Sequence, residues 1–548
     1  MADKSFDIVM VGGGSNSLVT AMYLTKFGGL DVGVFEARHE LGGGWCTEEP
    51  AGGFMANMCS TAMYDWYWEP VLRDIPEWEK YGARCSHTRT GNTIIFAEDQ
   101  SCLVFYHAFN DADPTQELTA KEIARFSEKD AETWLWLWEK YQGVWSKYIK
   151  EWWWNPAQPI DKPDGLDKML ADPASEVDPL WVRMSPMQLY KDLFESIEMR
   201  IAFQRPNQSF GVNTSEMGGG FHALLNTVFA NPHHQYVIGG THQLAHAAQR
   251  VIIENGGKIF TKHPVKNVII ENGKAKGIRL EDGTEIEARK AVITEVNPSQ
   301  LVHNMIGKEH LSEKIVRRVD NLESWFINIT WYTWCLKERP HYLAEKFNPD
   351  CGEGATCLIM ADREDEDYMV KDNIERQLGR RPSKLNLTTV AHGWHKDDLL
   401  APEGIDFNIL TEQFFLPDYL LTDKEWKEFE KTHAEEVIEL WQKYAPNMTW
   451  DNVIGFNPIT PHYTANFAKN FGPAGNWGVI DMCASQMGRC RPIPELASHR
   501  TPIKNLYGNG AAWHPMPGAH GIQGYNCYKI LSEDLNLKKP WKEKGAPW

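Results

Sequence analysis

Residues 6–18 read Phe-Asp-Ile-Val-Met-Val-Gly-Gly-Gly-Ser-Asn-Ser-Leu. A short apolar strand that ends in a glycine turn and runs into a helical pattern is the opening β–turn–α unit of a nucleotide-binding sheet. Gly12-x-Gly14-x-x-Ser17 approximates the Gly-x-Gly-x-x-Gly fingerprint. Gly12 permits the tight turn. Gly14, followed by Ser15, lets backbone amides approach a pyrophosphate at the helix N-terminus, where the dipole favours negative charge. Ser17 is a small residue in place of the third glycine. The helix is expected from Leu18 to Phe27 and the next strand over Asp31–Glu36. Glu36 falls twenty-two residues after Gly14, where an acid binds ribose hydroxyls and disfavours a 2′-phosphate.

The following segment, Glu36-Ala37-Arg38-His-Glu-Leu-Gly42-Gly43-Gly44-Trp45, adds a second glycine cluster with Arg38 beside it. The chain returns to this theme near residue 510. Leu506-Tyr-Gly508-Asn509-Gly510 is a strand entering a glycine loop, and His514-Pro515, Gly518, His520 and Gly521-Ile522-Gln523-Gly524 lead into a helix. Two glycine-rich strand ends so far apart suggest that both halves of a long dinucleotide are held, and FAD is the cofactor that fits. Between them, Tyr236-Val-Ile-Gly239-Gly240, a helix over 243–255, strands near 258 and 265, an Asn272-Gly273 hairpin turn and strands up to Thr294 form an αβ unit with a β-meander.

These motifs resemble the phytoene dehydrogenase-like group of FAD-dependent oxidoreductases, within the carotenoid desaturase and amine oxidase superfamily. The resemblance rests on Gly14-Ser-Asn-Ser-Leu-Val, Glu36-Ala-Arg38-His-Glu-Leu-Gly-Gly and the block from Arg491 to Asn526. It covers residues 5–65, 236–300 and 488–532, about a third of the chain. It implies an α/β fold: a Rossmann-type, glutathione-reductase-like FAD-binding domain assembled from segments 1–70, 236–300 and 488–548. An α+β substrate domain would be inserted as 71–235 and 301–487. It further implies that the Val265 backbone meets the adenine, that Gly510 lets the chain pass the ribityl chain, and that Ile522 and Gln523 offer amides to the flavin pyrimidine. Met516, Pro517 and His520 depart from the small residues usual in that loop.

The 548 residues exceed a single domain at a prior of ~150 residues each. A net charge of −18 opposes nucleic-acid binding and polybasic attachment to anionic lipid. No run of ~18 apolar residues suggests a membrane span, and a strand starting at Phe6 leaves no room for a signal peptide. Ten scattered cysteines without a Cys-x-x-Cys pair read as reduced thiols of a cytoplasmic protein. His242 and His246 sit four apart on a helix but have no third ligand, so no metal is expected; His233-His234 and His392-x-x-His395 read as loop residues. His514 and His520, in the flavin-closing loop, are the acid/base candidates, set against a bracing role for His514 beside Pro515.

Trp134, Trp138, Tyr141, Trp145, Tyr148 and Trp152 alternate at spacings of four and three, which places them on one face of a helix N-capped by Ser127. An aromatic pocket, a patch dipping into a membrane interface and a packed core helix are all compatible with that face. Trp66, Trp68, Trp325, Trp331 and Trp334 are further pocket candidates. The function expected is oxidation of an apolar or aromatic small molecule by hydride transfer to flavin N5, with oxygen, a quinone or another carrier as acceptor. A redox-neutral FAD-dependent isomerase or hydratase, an amine oxidase with an aromatic cage, and a non-enzymatic prenyl-binding module of GDP dissociation inhibitor type are the alternatives.

Overall fold

The computed structural model describes all residues except 1–3, 62, 65–66, 110–111, 210, 353–354, 392–398, 403–406 and 545–548. His392, His395 and Trp66 therefore lie outside the described residues.

Strand β1 (Lys4–Val11), helix α1 (Ser15–Lys26) and strand β2 (Val32–Phe35) follow the opening motif. The helix begins three residues earlier than its apolar pattern indicates, directly after Gly14. The sheet they found has the order 258–260, β2, β1, 285–294, 274–280, 265–271, and the strand 506–508 also pairs with 285–294. The strands around β1 run parallel, and the 265–294 meander is antiparallel. Its first turn uses Asn272 and Gly273, both at positive φ (50° and 71°), as a two-residue hairpin requires. The parallel strands are covered on both faces, which explains their unbroken Val/Ile/Met runs.

Helix α1 is buried almost all round because the helices His242–Glu254 and Ile522–Asp534 pack against it. Gly524 permits the second of these contacts: a Cβ there would stand 2.2 Å from the Asn16 carbonyl oxygen. The helix Ile522–Asp534 thus lies against α1.

A second sheet has the order 453–459, 329–336, 407–414, 387–391, 355–361, 90–96, 102–106. Strand periodicity splits its side chains between two environments. Tyr332, Trp334, Leu358, Met360 and Ile409 pack under the helix Asp423–Gln442 through Val437, Ile438 and Trp441. Ile329, Trp331, Ile359 and Val390 point the other way, toward the cavity described below.

The aromatic helix runs from Glu128 through a five-residue π-helical stretch, Tyr141–Trp145, to Trp153. Ser127 caps it, accepting from the Asp130 amide. Trp134, Trp138, Tyr141, Trp145 and Trp152 are buried in the main core, Tyr148 packs on its edge, and none of the six lines the cavity. Of the other tryptophan candidates among the described residues, Trp331 alone reaches the cavity. Trp68 packs on Trp78, Trp334 lies in the second core, and Trp325 sits beside Glu323.

No described helix is long and apolar enough to cross a membrane. None of the ten cysteines is in a disulfide, and no group of three metal-ligating side chains occurs among the described residues. The rings of His242 and His246 lie 4.2 Å apart at a tilt of 40°, with Glu40 3.7 Å from His242.

Candidate cofactor and substrate site

A cavity of about 830 Å³ runs from the end of β2, across the glycine turn, to the second sheet. Its first section is lined by Gly12, Gly14, Ser15, Glu36, Ala37, Arg38, Gly43, Gly44 and Val265. Gly12 sits at φ +92°, a conformation that other residues rarely adopt. The second glycine cluster folds back onto the first. The Gly42 amide donates to the Gly13 carbonyl (2.8 Å), and a Cβ on Gly43 would lie 3.1 Å from the Gly14 Cα.

The Glu36 carboxylate accepts from the amides of Gly13 and Arg38, both at 2.7 Å, which fixes it at the mouth of the turn. The Arg38 guanidinium lies 3.5 Å over the Phe467 ring and 3.6 Å from Glu48. Val265 shares this end of the cavity with Pro264, Lys266 and Glu281.

The C-terminal block meets the N-terminal one here, but through different residues than its glycines suggest. Ala511 and Met516–Ala519 form the wall. Ser17, Trp45, Gly508, Asn509, Gly510, Gly521, Ile522 and Gln523 do not line the cavity. Trp45 donates its indole N–H to the Ala519 carbonyl, and Asn509 donates to Thr20 Oγ1 at 3.0 Å. Gly508 is pressed against Trp513: a Cβ would come within 2.1 Å of the indole. The Ile522 amide, expected at the flavin, instead donates to His520 Nδ1 (3.4 Å), and the Gln523 side chain donates to the Met516 carbonyl (2.5 Å).

The acid/base expectation for His514 and His520 is corrected by the same geometry. Neither ring lines the cavity. His514 Nε2 donates to the Trp152 carbonyl (3.1 Å), and His520 Nε2 donates to the Pro517 carbonyl (3.2 Å). Burial lowers both pKa values, that of His520 to about 3, so both rings are neutral braces of the loop.

Two residues that sequence reasoning missed complete the section. Arg491 is fully buried and donates to five backbone carbonyls, of Gly478, Ile480, Asp481, Gln486 and Ala511. It clamps two pieces of cavity wall, Gly478 and Ala511, to one guanidinium. Glu295 directly follows the strand 285–294 and reaches the N-terminus of α1, accepting from the amides of Ser17 (2.8 Å) and Asn16 (3.3 Å). The legible signal was an acid at the carboxyl end of a strand that leads back to the parallel sheet.

The residues fit FAD. The glycines leave no room for side chains where a diphosphate passes, α1 presents its N-terminus, Glu36 is placed for a ribose, and the cavity continues well beyond a nucleotide's reach. Beyond Met516 the walls change character. Ile327, Ile329, Trp331, Ile359, Val390 and Trp477 are apolar, with the Trp331 and Trp477 rings 4.9 Å apart. Asn92, Thr388, Tyr64 and His234 add uncharged polar groups. His234 opens the strand His234–Val237 rather than a loop; its Nε2 lies 3.1 Å from the Tyr64 hydroxyl, and burial pushes its pKa down to about 3.

Comparison with known proteins places these features in context. The model of an NAD(P)-binding Rossmann-like domain matches residues 10–75, and that of flavin containing amine oxidoreductases matches residues 185–340. The chain is 26% identical to mouse pyridine nucleotide-disulfide oxidoreductase domain-containing protein 2, across 97% of this chain and 94% of that protein. It is 24% identical to a limonene dehydrogenase subunit of Castellaniella defragrans, across 98% and 97%. A shorter stretch, 20% of this chain and 22% of the other, is 32% identical to a 4,4'-diapophytoene desaturase of a Methylomonas species. Among solved structures, an oxidoreductase from Methanosarcina mazei shares the fold at a TM-score of 0.60 and 16% identity, covering 96% of this chain and 99% of that one.

Proposed function

We propose that the chain, which is similar to flavin containing amine oxidoreductases and to a limonene dehydrogenase subunit, is an FAD-dependent oxidoreductase of the phytoene dehydrogenase-like kind that dehydrogenates an apolar or aromatic small molecule held in the chamber beyond Met516. The observation that carries this reading is the continuity of one cavity from the cofactor cradle to the apolar floor of the second sheet. Bound FAD supplies the redox chemistry, accepting a hydride at N5.

The chain's own residues do the rest. Ile329, Trp331, Ile359 and Val390 offer a flat wall that buries an apolar substrate and excludes water. Met516–Ala519, braced from behind by His514, His520 and Gln523, set the boundary between chamber and cradle. A C–H oxidation of this kind needs orientation more than a strong protein base, consistent with the uncharged polar side chains described in the chamber. The names of two relatives, a limonene dehydrogenase and a diapophytoene desaturase, point to hydrocarbon substrates and support the same reading. Oxygen, a quinone or another carrier is the proposed electron acceptor.

The test is anaerobic. The purified protein is expected to show a two-band flavin spectrum that bleaches on mixing with a terpenoid or aromatic hydrocarbon and recovers when an acceptor is added. Product formation without bleaching and without an acceptor would replace this reading with redox-neutral isomerisation. Bleaching by amines alone would replace it with amine oxidation.

A further inference from the structure

Glu295 poses an electrostatic problem that the cofactor must solve. The N-terminus of α1 is the natural seat of a diphosphate, yet two of its amides, of Asn16 and Ser17, already donate to the Glu295 carboxylate. The fit is built around this side chain. A Cβ on Gly14 would lie 2.7 Å from the carboxyl group, one on Gly510 would lie 2.9 Å from its Cγ, and one on Gly12 would lie 3.0 Å from its carbonyl oxygen. The Glu295 amide is anchored to the Val11 carbonyl at 2.8 Å, so the residue is tied to the end of β1. It lines the same section of cavity as the glycines.

Among the described residues, the groups that act most strongly on it include no cation. Across the turn stands Glu36, a second acid; from the helix Ile522–Asp534 comes Cys527, a thiol kept neutral by burial; α1 contributes only amides and the Ser17 hydroxyl. Arg38, at the edge of the cradle, is engaged with Glu48 and Phe467. Burial above all, with a further push from Glu36 and against the pull of the Ser17 and Asn16 donors, raises the Glu295 pKa to about 7, so the carboxyl takes a proton at little cost near neutrality. Two phosphate charges brought into the same enclosed turn disfavour the carboxylate further.

We infer that Glu295 is the resident anion of the diphosphate cradle and that FAD binding is coupled to protonation of its carboxyl group. The balance is simple: carboxylate, one proton from solvent and FAD give the carboxylic acid and bound FAD, with no electrons moved. The glycine turn then serves one anion at a time. The inference rests on the FAD reading and adds to it a proton site on this chain.

The experiment starts from the purified holoprotein. FAD retained after repeated ultrafiltration is measured from pH 6 to pH 9, together with the infrared spectrum of the holoprotein at pH 8. The wild type is expected to lose FAD progressively above pH 7, its dissociation constant rising toward tenfold per pH unit. It should also show the carbonyl stretch of a protonated carboxylic acid. In Glu295→Gln, which keeps the shape and removes the titration, FAD retention should be flat with pH and that band absent. If Gln at 295 prevents folding, the pH series and the spectrum of the wild type decide alone. FAD held equally at every pH, or the same slope in the Gln variant, overturns the proton coupling. A protein that holds no FAD even at pH 6 overturns the cofactor reading instead.

Discussion

Spacing reads Glu36 as a ribose acceptor, and the fold adds that its carboxylate ties the Gly13 and Arg38 amides together. Replacing it by alanine removes the ribose acceptor and leaves two amides without their partner, a loss of ~2–3 kcal/mol in cofactor binding. Glu36→Ala is therefore expected to purify with much less FAD, a drop of at least about tenfold in affinity. The flavin-to-protein absorbance ratio checks this, and undiminished occupancy would refute the placement of the adenosine end. At this scale the sequence was readable wherever chemistry is local. The glycine turn, its helix and Glu36 lie within thirty residues and announce one another. For Glu295 the sequence offered only the cue of an acid at the end of a returning strand, and for Arg491 no cue to its role, because each acts on backbone that only the folded chain brings near.

At the level of elements, two helices show what periodicity reveals and what it withholds. The spacing of Trp134, Trp138, Tyr141, Trp145 and Trp152 marks one apolar face and Ser127 its cap. It carries no information about what the face meets, and the answer is the protein's own core. The second helix, Ile522–Asp534, is buried nearly throughout and carries Lys529, whose ammonium donates to the Trp154 carbonyl (2.6 Å) and to Asn155 Oδ1 (3.0 Å). Burial lowers the Lys529 pKa from 10.5 to about 7. Between those values the unfolded chain holds a proton that the folded chain has released. Stability should therefore rise with pH from 7 toward 10.5, with a slope approaching about 1.4 kcal/mol per pH unit. Lys529→Met removes that slope. Melting temperatures of the two proteins from pH 7 to 9.5 should diverge in their pH dependence, and parallel curves would show that Lys529 does not titrate in this range.

The whole molecule unites a cofactor sheet and a substrate sheet along one cavity. Both sheets could be anticipated as classes of structure. The chamber could not, because Trp331, Ile359, Val390 and Trp477 come from distant parts of the chain and share a wall only through strand order and side-chain alternation. The wall makes a prediction. Trp331→Ala deletes an indole that packs, tilted, on Trp477 and lines the chamber. Losing ~1.5–3 kcal/mol of apolar contact should lower kcat/KM for an apolar substrate about 10–100-fold while flavin content stays unchanged. A variant that loses flavin and activity together would show that the tryptophan supports the cradle rather than the substrate.

The packing of Ile522–Asp534 on α1, with Gly524 seated against Asn16, also sets a timetable for biogenesis. During translation, β1, α1 and β2 leave the ribosome well before the strand 506–508 and the helix that cover them, which follow some 480 residues later. At a synthesis rate of ~5–20 residues per second, the apolar flank of α1 waits tens of seconds for its cover. For that interval the nascent chain exposes an apolar surface, and the seat of Gly524 against Asn16 is completed only after the helix Ile522–Asp534 has been made.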